Sequence, residues 1–253
     1  LRLVQAFKVK VSIELHPAVS RSLERTLHFG RRYFKVCPEY FTIKVPLTPE
    51  GYLAVRTLRQ EEVPINFTLG FSVRQNYLAA RLANPDFVNV FLGRLNQVVM
   101  DHDAGTGELV GEKVTLATQR ALQSARANHQ EVSSRLIAAS IRNGEQVAFL
   151  AGLDVLTIPP KAMKEYQESG ISSVVSHIDD AIEPGIDSQH SLAKRFPELW
   201  ELSDDFKSFV DDLVAKPDLD SIQGNELADM ARERSVNLFH PFSEDDLNKI
   251  QKH

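Results

Sequence analysis

The chain has 253 residues, of which 43% are apolar, and this is enough to bury the core of one α/β barrel or of two smaller domains. Its 29 Lys and Arg against 34 Asp and Glu give a formal net charge of -5, which excludes a general attraction to nucleic acid or anionic lipid. The single cysteine, Cys37, excludes an internal disulfide and favours a reducing compartment.

Membrane and export segments are not expected in this sequence. No apolar run approaches the roughly 18 residues that a membrane helix needs. The first five residues lack the pattern of a signal peptide. A soluble, cytoplasmic protein with no membrane partner is therefore expected, and any anionic ligand must be bound by local basic residues.

Short apolar or β-branched segments alternate with amphipathic helical segments, which predicts parallel βα units rather than a sandwich or a bundle. Most of these segments are apolar throughout, as expected of strands buried on both faces. Six strands are predicted, at residues 8–14, 41–45, 65–69, 87–91, 136–140 and 155–158. Helices are predicted between them, at residues 49–61, 72–82, 112–130 and 144–150.

The pattern changes after Pro160, where Pro, Gly and Asp separate helical segments and no further strand is predicted. Residues 199–214 and 224–234 are predicted to be helices with apolar faces, and residues 183–190 a loop. The sequence therefore predicts a barrel core over residues 1–162 and a helical C-terminal extension over residues 163–253, packed on the barrel.

Polar side chains follow or end most of the predicted strands. In a βα barrel the active site is built at the C-terminal ends of the strands, so these side chains are candidate functional residues. A polar strand end is also where a strand meets water, and the pattern alone leaves both interpretations open. The candidates are Glu14, Lys44, Asn66, Thr68, Asn89, Arg94, Ser140 and Arg142.

Lys44 lies between Ile43 and Val45 in an apolar strand, where a charged ammonium is costly to bury. A neutral lysine can attack a ketone to form an iminium, which accepts electrons when the neighbouring carbon-carbon bond is cleaved. This is the chemistry of a class I aldolase. The alternative is a lysine whose stem packs on the strand while its ammonium reaches solvent.

Residues 43–51, Ile-Lys-Val-Pro-Leu-Thr-Pro-Glu-Gly, resemble the Schiff-base strand and following turn of the transaldolase and fructose-6-phosphate aldolase family. Other segments resemble further strands of the family in the same order, and the resemblance covers about residues 8–162. They are residues 11–14, 65–75, 90–94, 137–142 and 151–159, and residues 90–94 resemble a strand followed by a loop that contains Arg94. The fold that this resemblance implies is a TIM-type (β/α)8 barrel.

The resemblance implies that Lys44 is the nucleophile that forms the Schiff base. Glu14 and Thr68 would hold the water used for proton transfer, and Asn66 would bind substrate hydroxyls near the iminium. Without the resemblance, Glu14 is a solvated strand end, and Asn66 and Thr68 are ordinary polar strand residues.

The resemblance also implies a phosphate site formed by Arg94, Ser140 and Arg142, since the planar guanidinium fork matches phosphate oxygens. The alternative for both arginines is a surface ion pair. Asn89 lies where the family often has a serine, which leaves the sugar or phosphate contact open. Phe91 lies where the aldolase branch usually has a proton-donating tyrosine and transaldolases have phenylalanine.

Phe91 therefore favours transfer of a dihydroxyacetone unit between sugar phosphates, as in transaldolases of the pentose phosphate pathway. The residues 196–200, 237–239 and 246–247 loosely resemble the C-terminal helices of that branch. Two alternatives stay open: an aldolase acting on free dihydroxyacetone, and a catalytically weak sugar-phosphate-binding homologue. No nucleic acid partner is expected, and a homo-oligomer is compatible with this assignment.

The resemblance begins at the third of eight barrel strands, so the first two βα units are expected to be absent from this chain. The family's acid/base aspartate on the first strand and asparagine on the second have no match among residues 1–13. Asp101 and Asp103 are candidate substitutes, although exposed loop carboxylates are the more ordinary interpretation. The eight histidines lack a metal-ligand spacing, and no metal or cofactor is expected.

Overall fold

The computed structural model describes residues 1–239, and the segment at residues 246–247 lies outside them. The strands are β1 (Val11–Glu14), β2 (Phe41–Pro46), β3 (Ile65–Thr68), β4 (Phe87–Phe91), β5 (Arg135–Ala139) and β6 (Val155–Leu156). The helices are α1 (Arg2–Phe7), α2 (Leu23–Phe34), α3 (Pro49–Gln60), α4 (Val73–Leu82), α5 (Leu92–Asp101), α6 (Val110–Asn128), α7 (Gly144–Phe149), α8 (Pro160–Glu168), α9 (Pro197–Trp200), α10 (Asp204–Val214) and α11 (Gly224–Glu233).

Two compact units make up the described chain, and each contains three parallel strands. Unit 1 comprises Leu1–Thr68, Leu78–Asp86 and the described residues from Asp204 onward. In it β1 pairs with β2, and β2 pairs with β3. Unit 2 comprises Leu69–Tyr77 and Phe87–Ser203. In it β4 pairs with β5, and β5 pairs with β6.

Helices lie between consecutive strands in both units, so the predicted α/β class is confirmed and the architecture is consistent with a TIM-type fold. The predicted barrel boundary at residue 162 stays a prediction. None of the helices in residues 1–239 is long and apolar enough to cross a membrane.

The core of unit 1 forms around strands that are buried on both faces, as their apolar sequences predicted. Ile43, Val45, Ile65 and Phe67 have no exposed surface. The Tyr52 ring of α3 meets the Phe67 ring edge-on at a centroid distance of 5.0 Å. The helix therefore covers one face of the strands through a large aromatic contact.

The C-terminal helices of unit 1 are held by charged contacts as well as by their apolar faces. Arg81 pairs with Asp211 of α10 at 2.6 Å, and Arg56 pairs with Asp220 at 2.7 Å. The hydrogen bond from the Arg56 guanidinium lowers the pKa of the Asp220 carboxyl. Residues 199–214 were predicted to form one helix, but α9 ends at Trp200 and α10 begins at Asp204.

Two further predictions about the elements are wrong. The first strand begins at Val11 rather than at residue 8, because α1 occupies Arg2–Phe7 and Lys8 ends it with a left-handed φ of 53°. The segment after β4 is helix α5, not a loop. Leu92, Leu95 and Val99 are buried along one face of α5, which explains why the helix forms.

Candidate active site

Lys44 and Glu14 lie side by side in unit 1. The register of β1 and β2 pairs Glu14 with Lys44, so both side chains point to the same side of the sheet. Lys44 Nζ lies 3.1 Å from Glu14 Oε2. In the folded chain 24% of the Lys44 side-chain surface and 50% of the Glu14 side-chain surface are exposed to solvent. Lys44 is thus partly exposed, whereas its neighbours Ile43 and Val45 are fully buried.

This geometry supports proton transfer between the two groups. An ammonium must lose a proton before its nitrogen can attack a carbonyl carbon, and a carboxylate within hydrogen-bond reach can accept that proton. The Glu14 carboxylate accepts a hydrogen bond from Lys44 while half of its side chain remains exposed, and its role stays a prediction.

Asn66 lies next to Lys44 in the register of β2 and β3. It is 7% exposed, and its Nδ2 donates a hydrogen bond to Ser12 Oγ at 3.1 Å. The sequence prediction missed Ser12. The signal for it was available, because Ser12 lies two residues before Glu14 and therefore on the same face of β1.

Thr68 follows Asn66 by two residues and ends β3. Its side chain is fully buried, and its Oγ1 has no hydrogen-bond partner within residues 1–239. A buried hydroxyl without a partner costs free energy of folding. A substrate group bound in the site would supply the missing partner.

Replacing Thr68 by Val is expected to raise the free energy of unfolding by about 1 kcal/mol, because a methyl group replaces the unpaired hydroxyl. Urea denaturation measures this change. In Thr118→Val a hydroxyl bonded to the Val114 carbonyl at 2.8 Å is lost, and no gain in stability is expected. A loss of stability in Thr68→Val, equal to that of the control, would show that the hydroxyl is paired in the folded protein.

Arg94 lies in the first turn of α5, directly after β4, and not in a loop as predicted. The first turn contains no acidic residue, and the N-cap residue Phe91 provides no side-chain cap. The backbone N–H groups of this turn have no acceptor within the helix, and together with the positive end of the helix dipole they favour an anion at this end. Arg94 adds a full positive charge to the same place.

Ser140 and Arg142 follow β5 and lie close to the start of α5. Ser140 has a left-handed φ of 66°, which costs a non-glycine residue about 1–2 kcal/mol. A Cβ atom at Gly93 would collide with the Ser140 carbonyl oxygen and lie 2.6 Å from Arg142 Nε. Gly93 therefore allows the segment that carries Arg142 to approach the helix that carries Arg94.

Neither Arg94 nor Arg142 has an ion-pair partner for its guanidinium within residues 1–239, and both are exposed. Other arginines of unit 2 are engaged: Arg126 pairs with Asp154 at 3.1 Å, for example. Within residues 1–239 the structure therefore shows no ion pair of the kind that the alternative interpretation expected for Arg94 and Arg142. Two unpaired guanidinium groups beside a helix N-terminus are suited to bind phosphate.

Asn89 and Phe91 end β4 on the same side of the strand. Asn89 is 2% exposed, and its carbonyl accepts a hydrogen bond from Asn76 Nδ2 at 3.1 Å. The Phe91 ring is half-buried and lies 5.9 Å from the Phe71 ring. Asn76 was not predicted as a functional neighbour, because its contact with Asn89 depends on the tertiary fold.

Asp101 and Asp103 do not lie in a loop directly after β4. Asp101 is the last residue of α5, and its carboxylate accepts a hydrogen bond from Gln97 at 2.8 Å. Asp101 follows Arg94 by seven positions in the helix, which is about 10 Å along the axis.

Within residues 1–239 no three His, Cys, Asp or Glu side chains group as metal ligands.

Replacing Gly93 by Ala is expected to lower the free energy of unfolding by about 3 kcal/mol, because the added methyl meets a backbone carbonyl that cannot move aside. Gly170→Ala is the control. Gly170 has a φ of 70° and no atom within 4 Å of its added Cβ, so only about 1 kcal/mol of backbone strain is expected there. Equal losses in denaturant titrations would contradict the close contact at Gly93.

The parallel βα units define an α/β protein whose architecture is consistent with a TIM-type fold. Residues 2–216 match the family Transaldolase/Fructose-6-phosphate aldolase, and the chain belongs to that family. This confirms the resemblance found in the sequence.

Curated relatives carry the name "Probable transaldolase". The chain is 34% identical to the one from Exiguobacterium sibiricum over 153 residues, which is 60% of this chain and 62% of that protein. It is 33% identical to the one from Thermus thermophilus over 147 residues, or 57% and 59% of the two chains. It is 39% identical to the one from Clostridium kluyveri over 123 residues, or 48% and 50%. The chain thus spans about half to three fifths of the relatives it matches.

Proposed function

We propose that this chain transfers a three-carbon dihydroxyacetone unit between sugar phosphates through a Schiff base on Lys44. The observation that carries the proposal is the Lys44–Glu14 pair, in which a partly buried lysine amine lies 3.1 Å from a carboxylate. Membership of the transaldolase and fructose-6-phosphate aldolase family supports the same chemistry.

The reaction begins when Glu14 accepts a proton from Lys44 and the free amine attacks the ketone carbon of a ketose phosphate. Loss of water gives an iminium. The iminium at C2 accepts the electron pair of the C3–C4 bond when the C4 hydroxyl loses its proton. An aldose phosphate leaves, and an enamine of dihydroxyacetone remains on Lys44.

The enamine then attacks the aldehyde carbon of an acceptor aldose phosphate, and hydrolysis of the new iminium releases the product and regenerates Lys44. We assign Thr68 and Glu14 to the water that carries protons in these steps. Asn66 is assigned to the substrate hydroxyls nearest the iminium. The buried, unpaired Thr68 hydroxyl and the Asn66 amide support these roles.

The phosphate group is assigned to Arg94, Ser140 and Arg142. Their support is local to unit 2: the two guanidinium groups are unpaired within residues 1–239, and Gly93 allows the two segments to approach. Asn89 of β4 is assigned to a contact with the sugar or the phosphate of the substrate.

Phe91 favours transfer over simple cleavage. A phenyl ring cannot donate a proton, so it cannot protonate the enamine and release free dihydroxyacetone. The enamine then persists until an acceptor aldehyde arrives. A hydroxyl donor at this position would favour the aldolase reaction instead.

The test is to incubate the chain with fructose 6-phosphate, with and without an aldose phosphate acceptor, and to measure released glyceraldehyde 3-phosphate. Release of at most about one equivalent per chain without acceptor, and of many equivalents with it, supports transfer. Release without acceptor, together with free dihydroxyacetone, would replace transfer by an aldolase reaction. Binding of fructose 6-phosphate without any release would contradict both reactions and favour a sugar-phosphate-binding protein.

A further inference from the structure

Unit 2 contains a buried carboxylate that the proposed reaction does not use. Glu112 lies in the first turn of α6 and is only 3% exposed. Its Oε2 accepts a hydrogen bond from Asn96 Nδ2 at 3.0 Å, and its Oε1 accepts one from Gln146 Nε2 at 2.7 Å. No Lys or Arg pairs with Glu112 within residues 1–239. Burying an acidic side chain among neutral donors is costly, so this arrangement requires an explanation.

Both amides that hold the Glu112 carboxylate are also bound to backbone N–H groups. Gln146 Oε1 accepts a hydrogen bond from the Arg142 N–H at 2.6 Å. Asn96 Oδ1 accepts one from the Gly111 N–H at 2.6 Å. Each amide therefore has its oxygen and its nitrogen oriented by a partner, and only an acceptor at position 112 satisfies both NH2 groups.

Through Asn96 and Gln146, Glu112 is connected to the two segments that carry the arginines of the proposed phosphate site. Asn96 lies two residues after Arg94 in α5, and Gln146 binds the backbone of Arg142. Among the side chains of residues 1–239, Glu112 is the one that hydrogen-bonds to both amides. It links the helix that carries one arginine to the segment that carries the other.

The space beside this network leaves room for the exposed Arg142 side chain to change position if the network is lost. Glu112, Gln146 and Arg142 line a cavity of about 810 Å³, together with Gly93 and Phe149. The backbone of this segment packs against Gly93, but the Arg142 side chain has no packing on the cavity side, so its position there depends on hydrogen bonds.

We infer that Glu112 is a positioning residue, which fixes Arg142 and Arg94 for phosphate binding through Gln146 and Asn96; this inference rests on the proposed function. A carboxylate near a helix N-terminus also stabilises the helix dipole, and that role alone would affect stability without affecting phosphate. The two roles are therefore separable by measurement.

In the test, inorganic phosphate binding is measured by calorimetry on the full chain, and KM and kcat are measured with fructose 6-phosphate and an acceptor. Glu112→Gln places an NH2 group against an amide donor, and we expect phosphate Kd and KM to rise about tenfold. The kcat at saturation is expected to stay within about twofold. Glu145→Gln is the control: it removes an exposed carboxylate that lines the same cavity, and it is expected to change neither Kd nor KM.

The double variant Glu112→Gln, Gln146→Glu exchanges the amide and the carboxylate. Position 112 can then accept from Asn96 and donate to position 146, which still accepts from the Arg142 N–H. We expect this variant to recover most of the lost phosphate affinity. If Glu112→Gln does not fold, Gln146→Met tests the same link, because it keeps the carboxylate and removes only the bridge to Arg142.

The outcomes distinguish a failure of the proposed phosphate site from a failure of the role inferred for Glu112. If the parent chain binds no phosphate, the phosphate site of the proposed function is wrong and the inference falls with it. If the parent binds phosphate and Glu112→Gln binds it equally well, only the inference is wrong. A rise in Kd that Glu145→Gln reproduces, or that the exchanged variant does not reverse, would also overturn it.

Discussion

Lys44→Met is expected to lose turnover by a factor of about 10^4 or more, because a thioether cannot form an iminium and no other step provides an electron sink. Phosphate binding is expected to persist, since Arg94 and Arg142 are unchanged. Steady-state assays and calorimetry on the same preparation measure the two properties.

Lys44→Arg is the matched variant for this prediction. Arginine keeps the positive charge that pairs with Glu14, so the fold is expected to retain its stability, yet a guanidinium is always protonated and cannot attack a ketone. Loss of turnover in both variants attributes the effect to the amine and not to the ion pair. Unchanged turnover in either variant would rule out the Schiff-base mechanism at Lys44.

Arg142→Ala is expected to raise KM for fructose 6-phosphate about 10- to 100-fold, because a charge-assisted contact with phosphate contributes about 1.5–3 kcal/mol. The kcat at saturation is expected to change little, since the guanidinium contacts a part of the substrate that does not react. With an unphosphorylated ketose, KM is expected to be the same in the variant and the parent.

Arg135→Ala is the control for Arg142→Ala. Arg135 is also exposed in unit 2, but it begins β5 and lies over the Phe87 ring at 4.7 Å, whereas Arg142 follows the other end of the strand. A similar rise in KM in this control, or a rise with the unphosphorylated ketose, would contradict a specific phosphate contact at Arg142.

All six strands lie where predicted to within three residues at each end. Most were predictable because their apolar sequences favour burial on both faces, whereas the shorter β1 alternates and is only partly buried. Helix α5 was not predicted, because Arg94 was treated as part of a loop and the buried spacing of Leu92, Leu95 and Val99 was overlooked. Helix α1 was missed because Lys8 ends it with a left-handed backbone, which is unusual for lysine.

Contacts within the site were predictable only between neighbouring parallel strands, because the register of one strand fixes which residues of the next lie beside it. Strand-end position singled out Glu14 and Lys44, and parallel register brings them together. Glu112 and Gln146 could not be predicted, because their contacts join residues 34 positions apart through the tertiary fold. The left-handed backbone of Ser140 also depends on the approach that Gly93 permits, and no residue pattern specifies it.

Borohydride reduction in the presence of fructose 6-phosphate tests the central claim most directly, since it converts a lysine iminium into a stable secondary amine. Peptide mass spectrometry then locates the modified lysine. We expect the three-carbon or six-carbon adduct on Lys44, and none when borohydride or sugar is omitted. An adduct on a different lysine, or no adduct under conditions in which the chain binds fructose 6-phosphate, would contradict the proposed mechanism.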